Sequence, residues 1–331
     1  MTKVSVVIPY FQRKPGLLRA TVESIIAQET PEDVSVDIVI VDDESPHPPG
    51  PEIAGLSRPG FAITVLQQKN AGPSRARNAG LDHASDADYI AFLDSDDLWL
   101  PGHLQTGLAA LRGRAEFFFA NNFYEGDRTW FEGFSCMPQL LAEATQFGDD
   151  QFILPHERAT SYFLDDCLAH TSTVIYDNKK LRGLRFDVSQ ERAGEDYLFW
   201  MTAADMSDTV AFSLRSTARR GRGVDLYRAA LDWDSPNCVK RLFYALTLHK
   251  KLLSRFCRTE AQQTAMKIKI GRLRRGITYL LIRNAFAHIR SNFWVMGRLL
   301  EADPVFWLKL PANGFTVMHQ KLRGRLDFPV G

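Results

Sequence analysis

Long apolar runs are missing from this chain of 331 residues. Crossing a bilayer takes about 18 uninterrupted apolar residues, and the best stretch, 276–300, is broken by Arg283, His288, Arg290 and Arg298. No bilayer-spanning helix is expected. Cysteine is scarce as well: Cys136, Cys167, Cys238 and Cys257 lie far apart, with no C-x-x-C and no Cys/His pair at zinc spacing. That argues for reduced thiols and against a disulfide framework or a structural zinc. The first residues carry no basic n-region or apolar h-region, so a cytoplasmic protein is expected and not a secreted one. Neither phosphate-binding glycine pattern occurs, G-x-x-x-x-G-K-[ST] or G-x-G-x-x-G. Internal repeats and low-complexity tracts are lacking too.

What is present is the composition of an ordinary globular protein, 45% hydrophobic and 24% charged, which excludes disordered and collagen-like classes. The length suffices for one catalytic domain with an appended region. A formal net charge of +1 conceals an asymmetry. From Pro236 to Gly331 there are 18 Lys/Arg against 4 Asp/Glu, or +14, which leaves 22 against 35, or −13, for the residues before. Opposite fields of this size mark two functional regions, expected at 1–225 and 236–331.

In the first region short β-branched runs alternate with helical patterns. VSVVIPY (4–10) precedes a helix from about Gly16 to Gln28 whose Leu17, Leu18, Val22, Ile25 and Ile26 share a face. VDIVIVDD (36–43), FAITVLQQ (61–68) and DYIAFLDSDD (88–97) read as further strands, with a helix starting near Pro73 between the last two. Near-continuous apolar strands separated by helices predict a doubly wound α/β unit over about the first 125 residues, a mostly parallel sheet with helices on both faces. From Thr129 to about Asp166 the pattern is irregular and aromatic-rich. Beyond it, TSTVIY (171–176) reads as a strand and GEDYLFWMTAA (194–204) as a helix with acids in its first turn. A strand near 209–217 then runs into the basic RRGRG at 219–223, and the chain from about Pro236 reads as helical.

Ligands of open α/β sheets sit beyond the carboxyl ends of the strands, and there the acids concentrate. In LDSDD, three carboxylates, Asp94, Asp96 and Asp97, repel one another unless they share a cation. Oxygen ligands suit Mg²⁺ or Mn²⁺, and such an ion would neutralise a diphosphate leaving group. A solvated acidic turn is the competing reading. In VDDES (41–45), a carboxylate can accept the N–H of a uracil-like base, or the segment is simply a turn. NAGPSRARNAG (70–80) enters a helix with Arg75 and Arg77 in its early turns, a placement that suits an anion. GEDYLFW (194–200) offers Glu195 and Asp196 as a base for an acceptor hydroxyl, or as acids that favour a helix N-terminus.

In this order the motifs resemble the family 2 glycosyltransferases, an inverting group with the GT-A fold. The likeness covers about residues 3–215 through VSVVIPYF (4–11), VDDES, the stretch from Asn70 to Leu81, FLDSDD (92–97) and FD…GED from Phe186 to Asp196. It implies that Asp43 contacts the base and that Pro9 and Tyr10 line the nucleotide pocket. Asp96 and Asp97 would serve ribose and metal, the metal held through Asp97, with Asp94 nearby. Asp196 would be the catalytic base with Glu195 its neighbour, and His170 would lie on the acceptor side. Processive members carry Q-x-x-R-W after the base and transmembrane helices; neither occurs here, which favours transfer of one sugar. The FQRKPG opening, the VDDESP turn and the basic tail look like enzymes that extend lipid-linked repeats of bacterial exopolysaccharides, succinoglycan glucosyltransferases among them, with UDP-glucose the favoured donor.

The tail mixes Lys/Arg with large apolar residues, as in KIKIGRLRRGITYLLIRNAF (267–286) and SNFWVMGRLL (291–300). Basic amphipathic helices bind anionic membrane surfaces, which would place the enzyme peripherally at the inner face of the cell membrane, near a lipid-linked acceptor. Alternatively, its charge complements the acidic region by intramolecular packing. Nucleic acid is not an expected partner, because such a protein would not line its site with acids. Two other functions stay open at this point: a sugar-phosphate nucleotidyltransferase and a non-catalytic nucleotide-sugar-binding protein.

Overall fold

The computed structural model describes residues 1–190, 193–221 and 230–323. The last two residues of RRGRG, the expected boundary at 225 and the chain from 324 lie outside the described residues. The chain forms two compact units, Met1–Val188 with Asp196–Val224, and Ser189–Glu195 with Asp225–Gly331.

The first unit is built on one sheet. Its opening elements are β1 (Thr2–Tyr10), α1 (Leu18–Ile26), β2 (Val34–Asp42), the short α2 (Gly50–Ile53), β3 (Phe61–Gln67), α3 (Pro73–His83) and β4 (Tyr89–Phe92). Next come β5 (Leu98–Trp99), α4 (His103–Leu111), β6 (Phe117–Glu125), β7 (Arg128–Thr129), α5 (Met137–Glu143), β8 (Thr145–Gln146), β9 (Gln151–Pro155) and α6 (His156–Asp165). After a 3₁₀ turn at Thr171–Thr173, β10 (Ile175–Asp177), α7 (Glu195–Met206) and β11 (Thr209–Arg219) complete it. The strand order is β3-β2-β1-β4-β10-β6-β11-β9-β8, with β5 beside β11 and β7 beside β6.

Strands β3, β2, β1 and β4 are parallel, β6 and β11 continue in the same direction, and β10 and β9 are reversed. In β1, Val4 to Ile8 are all buried, and β2 is buried at eight of nine positions, as a sheet covered on both faces requires. Leu18, Val22 and Ile25 of α1 close one face over Val6, Ile8, Ile38 and Ile40. On the far half of the sheet an aromatic layer takes over: Phe186 stacks on Phe199 at 4.1 Å, and Trp200 meets Phe92 edge-on at 5.7 Å. Such pairs prefer offset or edge-on geometry and add to the area they bury. Here they clamp α7 against the sheet.

Several elements differ from the sequence expectation. The segment 88–97 is a strand only to Phe92; Asp97 N–H returns to Asp94 O at 3.0 Å, so the three acids sit in a turn. Of 171–176, the first residues form the 3₁₀ turn and only the end pairs as β10, antiparallel to both neighbours. The irregular stretch 129–166 holds two strands and two helices of its own.

The second unit carries α8 (Cys238–Arg255), α9 (Glu260–Arg283), α10 (Ile289–Ala302) and α11 (Pro304–Leu322). Thr259 and Gln262 form a reciprocal capping box that starts α9. Between the helices Asp303, fully buried, accepts from Arg274 Nε and Nη2 at 2.7 Å each and from Lys250 Nζ at 3.1 Å. Among the described residues no helix is long and apolar enough to cross a membrane.

Candidate active site

The carboxyl ends of β1, β2 and β4 bring their loops to one edge, because the register aligns them: Pro9 lies beside Val41, Tyr10 beside Asp42 and Asp42 beside Gln67. Pro9 is half-buried there. Tyr10 is not on the surface at all. It is fully buried, and its hydroxyl donates to His47 O at 2.8 Å and Glu52 Oε1 at 3.2 Å, so it props the 45–52 loop from beneath instead of lining a pocket. Burial, reinforced by the Glu52 charge, raises its pKa.

Asp43 is likewise buried and heavily used. Its carboxylate accepts from Gln68 Nε2 at 2.7 Å and from the backbone N–H of Ala71 and Gly72 at 2.8 and 2.9 Å. An ionised carboxylate has about four acceptor sites, so roughly one direction is left for a ligand N–H. The following Glu44 adopts φ 58°, a left-handed conformation that costs a non-glycine residue about 1 kcal/mol or more. Ser45 N–H to Asp42 Oδ1 at 2.9 Å and Ser45 Oγ on Gln12 N–H at 2.9 Å hold the turn in it.

Gly72, at φ 88°, turns the chain into α3 with Pro73 in its first turn. Two residues of that helix explain the sequence A-R-N. Asn78 grips the Phe186 backbone at both ends, accepting its N–H at 2.8 Å and donating to its O at 2.9 Å. Buried Arg77 donates to Asp94 Oδ1 at 2.8 Å and lies 5.2 Å over the Phe186 ring. Arg77 thereby orients an acid of the turn, which differs from the expectation that it meets the ligand itself.

Within the turn the three acids have unlike surroundings. Asp94 is 31% exposed and Asp96 half-buried. Asp97 is buried: Oδ2 accepts from Ser172 Oγ at 2.5 Å and Oδ1 from Gly221 N–H at 2.7 Å. Ser172 Oγ in turn accepts the N–H of Asp94 at 3.2 Å. Burial, then the neighbouring Asp94 charge, pushes the Asp97 carboxyl up. Each oxygen of Asp97 accepts one protein donor, so Asp97 anchors the turn, and a metal held through Asp97, as the sequence suggests, would have to use its remaining acceptor directions. Gly221 can be nothing larger, since a Cβ on it would stand 1.7 Å from the Asp96 carbonyl oxygen.

His170 lies just before the 3₁₀ turn. Its Nδ1 accepts Ser172 N–H at 3.4 Å, which puts the proton on Nε2. The ring sits edge-on to Trp130 at 5.7 Å. Burial lowers its pKa, while the charges of Asp94, Asp196 and Asp96 act in the opposite direction. Asp196, in the first turn of α7, is half-buried with Oδ1 on Tyr197 N–H at 2.7 Å. The acids of the 94–97 turn and Asp196 of α7, about a hundred residues apart in the chain, therefore share His170 as a neighbour. Glu195 is half-buried beside Asp196 in sequence. Ser172, Gly221, Gln12 and Gln68 lie within TSTVIY, RRGRG, FQRKPG and FAITVLQQ, but nothing in those stretches marks them as residues that support the site.

The residues 5–165 match the model of the glycosyl transferase family 2. Over 92% of this chain and 95% of the relative, it is 31% identical to a succinoglycan biosynthesis protein, ExoW, of Rhizobium meliloti (strain 1021). It is 28% identical to WfaP of Escherichia coli, a UDP-Glc:α-D-GlcNAc-diphosphoundecaprenol β-1,3-glucosyltransferase, over 61% of this chain and 70% of that one. Among solved structures, Staphylococcus aureus TarS 1–349 in complex with UDP-GlcNAc superposes with TM-score 0.63 at 17% identity, covering 98% of this chain and 93% of TarS. The mannosyltransferase PcManGT of Pyrobaculum calidifontis, solved with GDP-Man and Mn²⁺, gives 0.53 at 14%, covering 96% and 86%. These structures speak for the fold, a GT-A architecture with helices appended, and the sequence matches decide between the functions left open above: the chain belongs to glycosyltransferase family 2 and is a glycosyltransferase.

Proposed function

We propose that the protein is a non-processive, inverting enzyme that moves one hexose from a nucleotide diphosphate sugar, UDP-glucose before others, to a hydroxyl of a lipid-linked saccharide during bacterial exopolysaccharide assembly. The observation that supports the reading is the gathering of Asp94, Asp96 and Asp97 in one turn at the carboxyl end of β4, with His170 Nδ1 4.0 Å from Asp97 Oδ2 and the charge of Asp196 acting on the same ring. The similarity to a succinoglycan biosynthesis protein and to a glucosyltransferase acting on a diphosphoundecaprenol acceptor supports the donor and acceptor classes.

Pro9 and the remaining acceptor direction of Asp43 would receive the nucleotide base. Among the described residues no three acidic, His or Cys side chains are arranged to hold a metal by themselves, so Asp96 and Asp94 would hold Mg²⁺ or Mn²⁺ only together with the donor's phosphate oxygens, the way such hard cations are commonly bound, with Asp97 behind them as anchor. Such an ion would balance the charge of the departing diphosphate. Asp196 would take the proton of the acceptor hydroxyl as that oxygen attacks the anomeric carbon opposite the leaving diphosphate, which inverts configuration. Glu195 would be its neighbour and His170 part of the acceptor side. A lipid-linked acceptor would draw the enzyme to the cytoplasmic face of a membrane.

Purified protein incubated with Mn²⁺ or Mg²⁺ and a panel of nucleotide sugars, with release of free nucleotide followed in time, tests this reading. Slow, metal-dependent hydrolysis of one UDP-hexose is the expected result. Release from none of the panel, or release undiminished by EDTA, would overturn it.

A further inference from the structure

Large apolar side chains that face solvent are few in the first unit and concentrated in the second. Of the 15 large hydrophobic residues that are exposed among the described ones, 11 lie between Ile268 and Leu322. Their spacing is helical. On α10, Ile289, Phe293 and Leu300 are 51%, 65% and 61% exposed; offsets of four and seven residues put them on one face. On α11, Leu308, Phe315 and Leu322, seven apart, are 83%, 69% and 82% exposed. Phe286, in the turn that enters α10, is 96% exposed. The opposite faces are already used: Val295 and Leu299 of α10 and Phe306 and Val317 of α11 are buried in the unit.

Exposed Lys and Arg accompany these stripes: Arg290 and Arg298 on α10, Lys309 and Lys321 on α11, and Arg323 at its end. The region from Pro236 carries 18 Lys/Arg and 4 Asp/Glu. That balance chooses the occupant. A second copy docking through the same face would bring a like-charged surface against this one and be repelled, whereas an anionic surface is attracted by the exposed cations beside the stripes. The helices are too short of apolar residues to cross a membrane, yet two of them keep an outward apolar stripe flanked by cations, the pattern of a helix lying in the headgroup region.

We propose that α10 and α11, with Phe286 between α9 and α10, form a lipid-contacting face that docks the enzyme onto an anionic bilayer. This rests on the reading of the acceptor as lipid-linked, and it names the surface by which the enzyme reaches it. Phe286, Phe293 and Phe315 enter the acyl boundary while Arg290, Lys309 and Lys321 meet lipid phosphates.

The test is flotation of the full-length protein with vesicles of phosphatidylcholine alone or mixed with phosphatidylglycerol, at low and high salt. The variant Phe286→Ser/Phe293→Ser/Phe315→Ser is run beside the wild type, and circular dichroism confirms that it is folded. Wild type should float with the anionic vesicles only, and less at high salt; the variant should lose roughly tenfold or more in vesicle affinity. Nucleotide-sugar hydrolysis in solution should be the same for both. Indifference of the wild type to anionic vesicles at low salt, or equal binding by the variant, would overturn the proposal. So would a wild-type oligomer that the substitutions dissociate without weakening vesicle binding, which would assign the face to a second copy. Vesicle binding as expected with no hydrolysis of any donor would sink the proposed function and leave the docking face standing.

Discussion

Ser172 Oγ donates to Asp97 Oδ2 at 2.5 Å and at the same time accepts the N–H of Asp94 at 3.2 Å, so one hydroxyl joins a buried carboxylate to the backbone of an acid exposed in the same turn. With Gly221 N–H on the other oxygen, Asp97 ties together β4, the 3₁₀ turn before β10 and the end of β11. Its neighbours in sequence, Asp94 and Asp96, are the acids that the proposed function assigns to the metal.

This division separates two substitutions that a sequence would treat alike. Asp96→Asn should abolish the response of donor hydrolysis to Mn²⁺ while leaving the melting temperature nearly unchanged. Asp97→Asn and Ser172→Ala should each lower stability without metal, by about 1–3 kcal/mol for a buried polar partner left unpaired. Thermal melts and Mn²⁺ titrations of the three variants, side by side, decide it; an Asp97→Asn enzyme that melts like wild type but has lost only its metal response would return the metal to Asp97.

Gly221→Ala asks for space that does not exist, a Cβ at 1.7 Å from Asp96 O and 2.6 Å from its carbonyl carbon. Both atoms are backbone, so the turn itself must move. A shift of about 1 Å at a catalytic turn costs on the order of 10²-fold in rate. The loss should appear in kcat/KM for donor hydrolysis, and retention of more than a third of wild-type activity would show that the contact is relaxed in solution.

Arg77→Lys keeps the charge but loses the planar group that bonds Asp94 while lying over Phe186. Arginine and lysine are not equivalent in such a setting. We expect a rise in donor KM and a stability loss of about 1 kcal/mol or more for the charge-assisted bond. Unchanged kinetics would mean that Asp94 needs no fixed orientation.

Much of the first half of the sheet was legible from residues: runs such as VSVVIPY and VDIVIVDD are too apolar and β-branched for anything but buried strands, and the acids at their ends mark the edge where ligands bind. Of the second half only β11 and the end of TSTVIY were legible as strands. FFFANNFYE in β6 carries no turn signal that separates it from a buried helix segment, and β10 is only three residues long. Roles inside the LDSDD turn were equally hidden, because Asp96 and Asp97 are chemically identical and differ only in what lies 75 and 124 residues downstream, Ser172 and Gly221. Tyr10 shows the same limit: its motif position suggests a pocket wall, while the pleat turns it inward.

The helical unit has an acid limit of its own. Burial alone would raise the pKa of Asp303, but Arg274 and Lys250 outweigh it and hold the carboxyl below the usual range. A carboxylate depressed on folding contributes stability above its unfolded pKa, about 3.9, and loses it as pH falls through the folded value. Helical signal from this unit should therefore be steady from neutral pH down to about 4 and fall below that. Asp303→Asn, which cannot titrate, should remove this part of the acid dependence and destabilise already at neutral pH by about 3 kcal/mol or more, since Arg274 is then buried without its partner. Acid titration followed by circular dichroism gives both numbers, and identical curves for the two proteins would remove Asp303 from the account.

The central claim is that Asp196 deprotonates the attacking hydroxyl at a site whose donor side is built by other residues. It is tested most directly by measuring, on one preparation of Asp196→Asn, nucleotide affinity by calorimetry and the rate of donor hydrolysis with water in place of the acceptor. The account predicts an unchanged Kd with kcat lower by roughly 10² to 10⁴, the usual contribution of a positioned general base. Intact nucleotide binding together with a near wild-type rate would contradict it and reduce Asp196 to an acid that caps a helix.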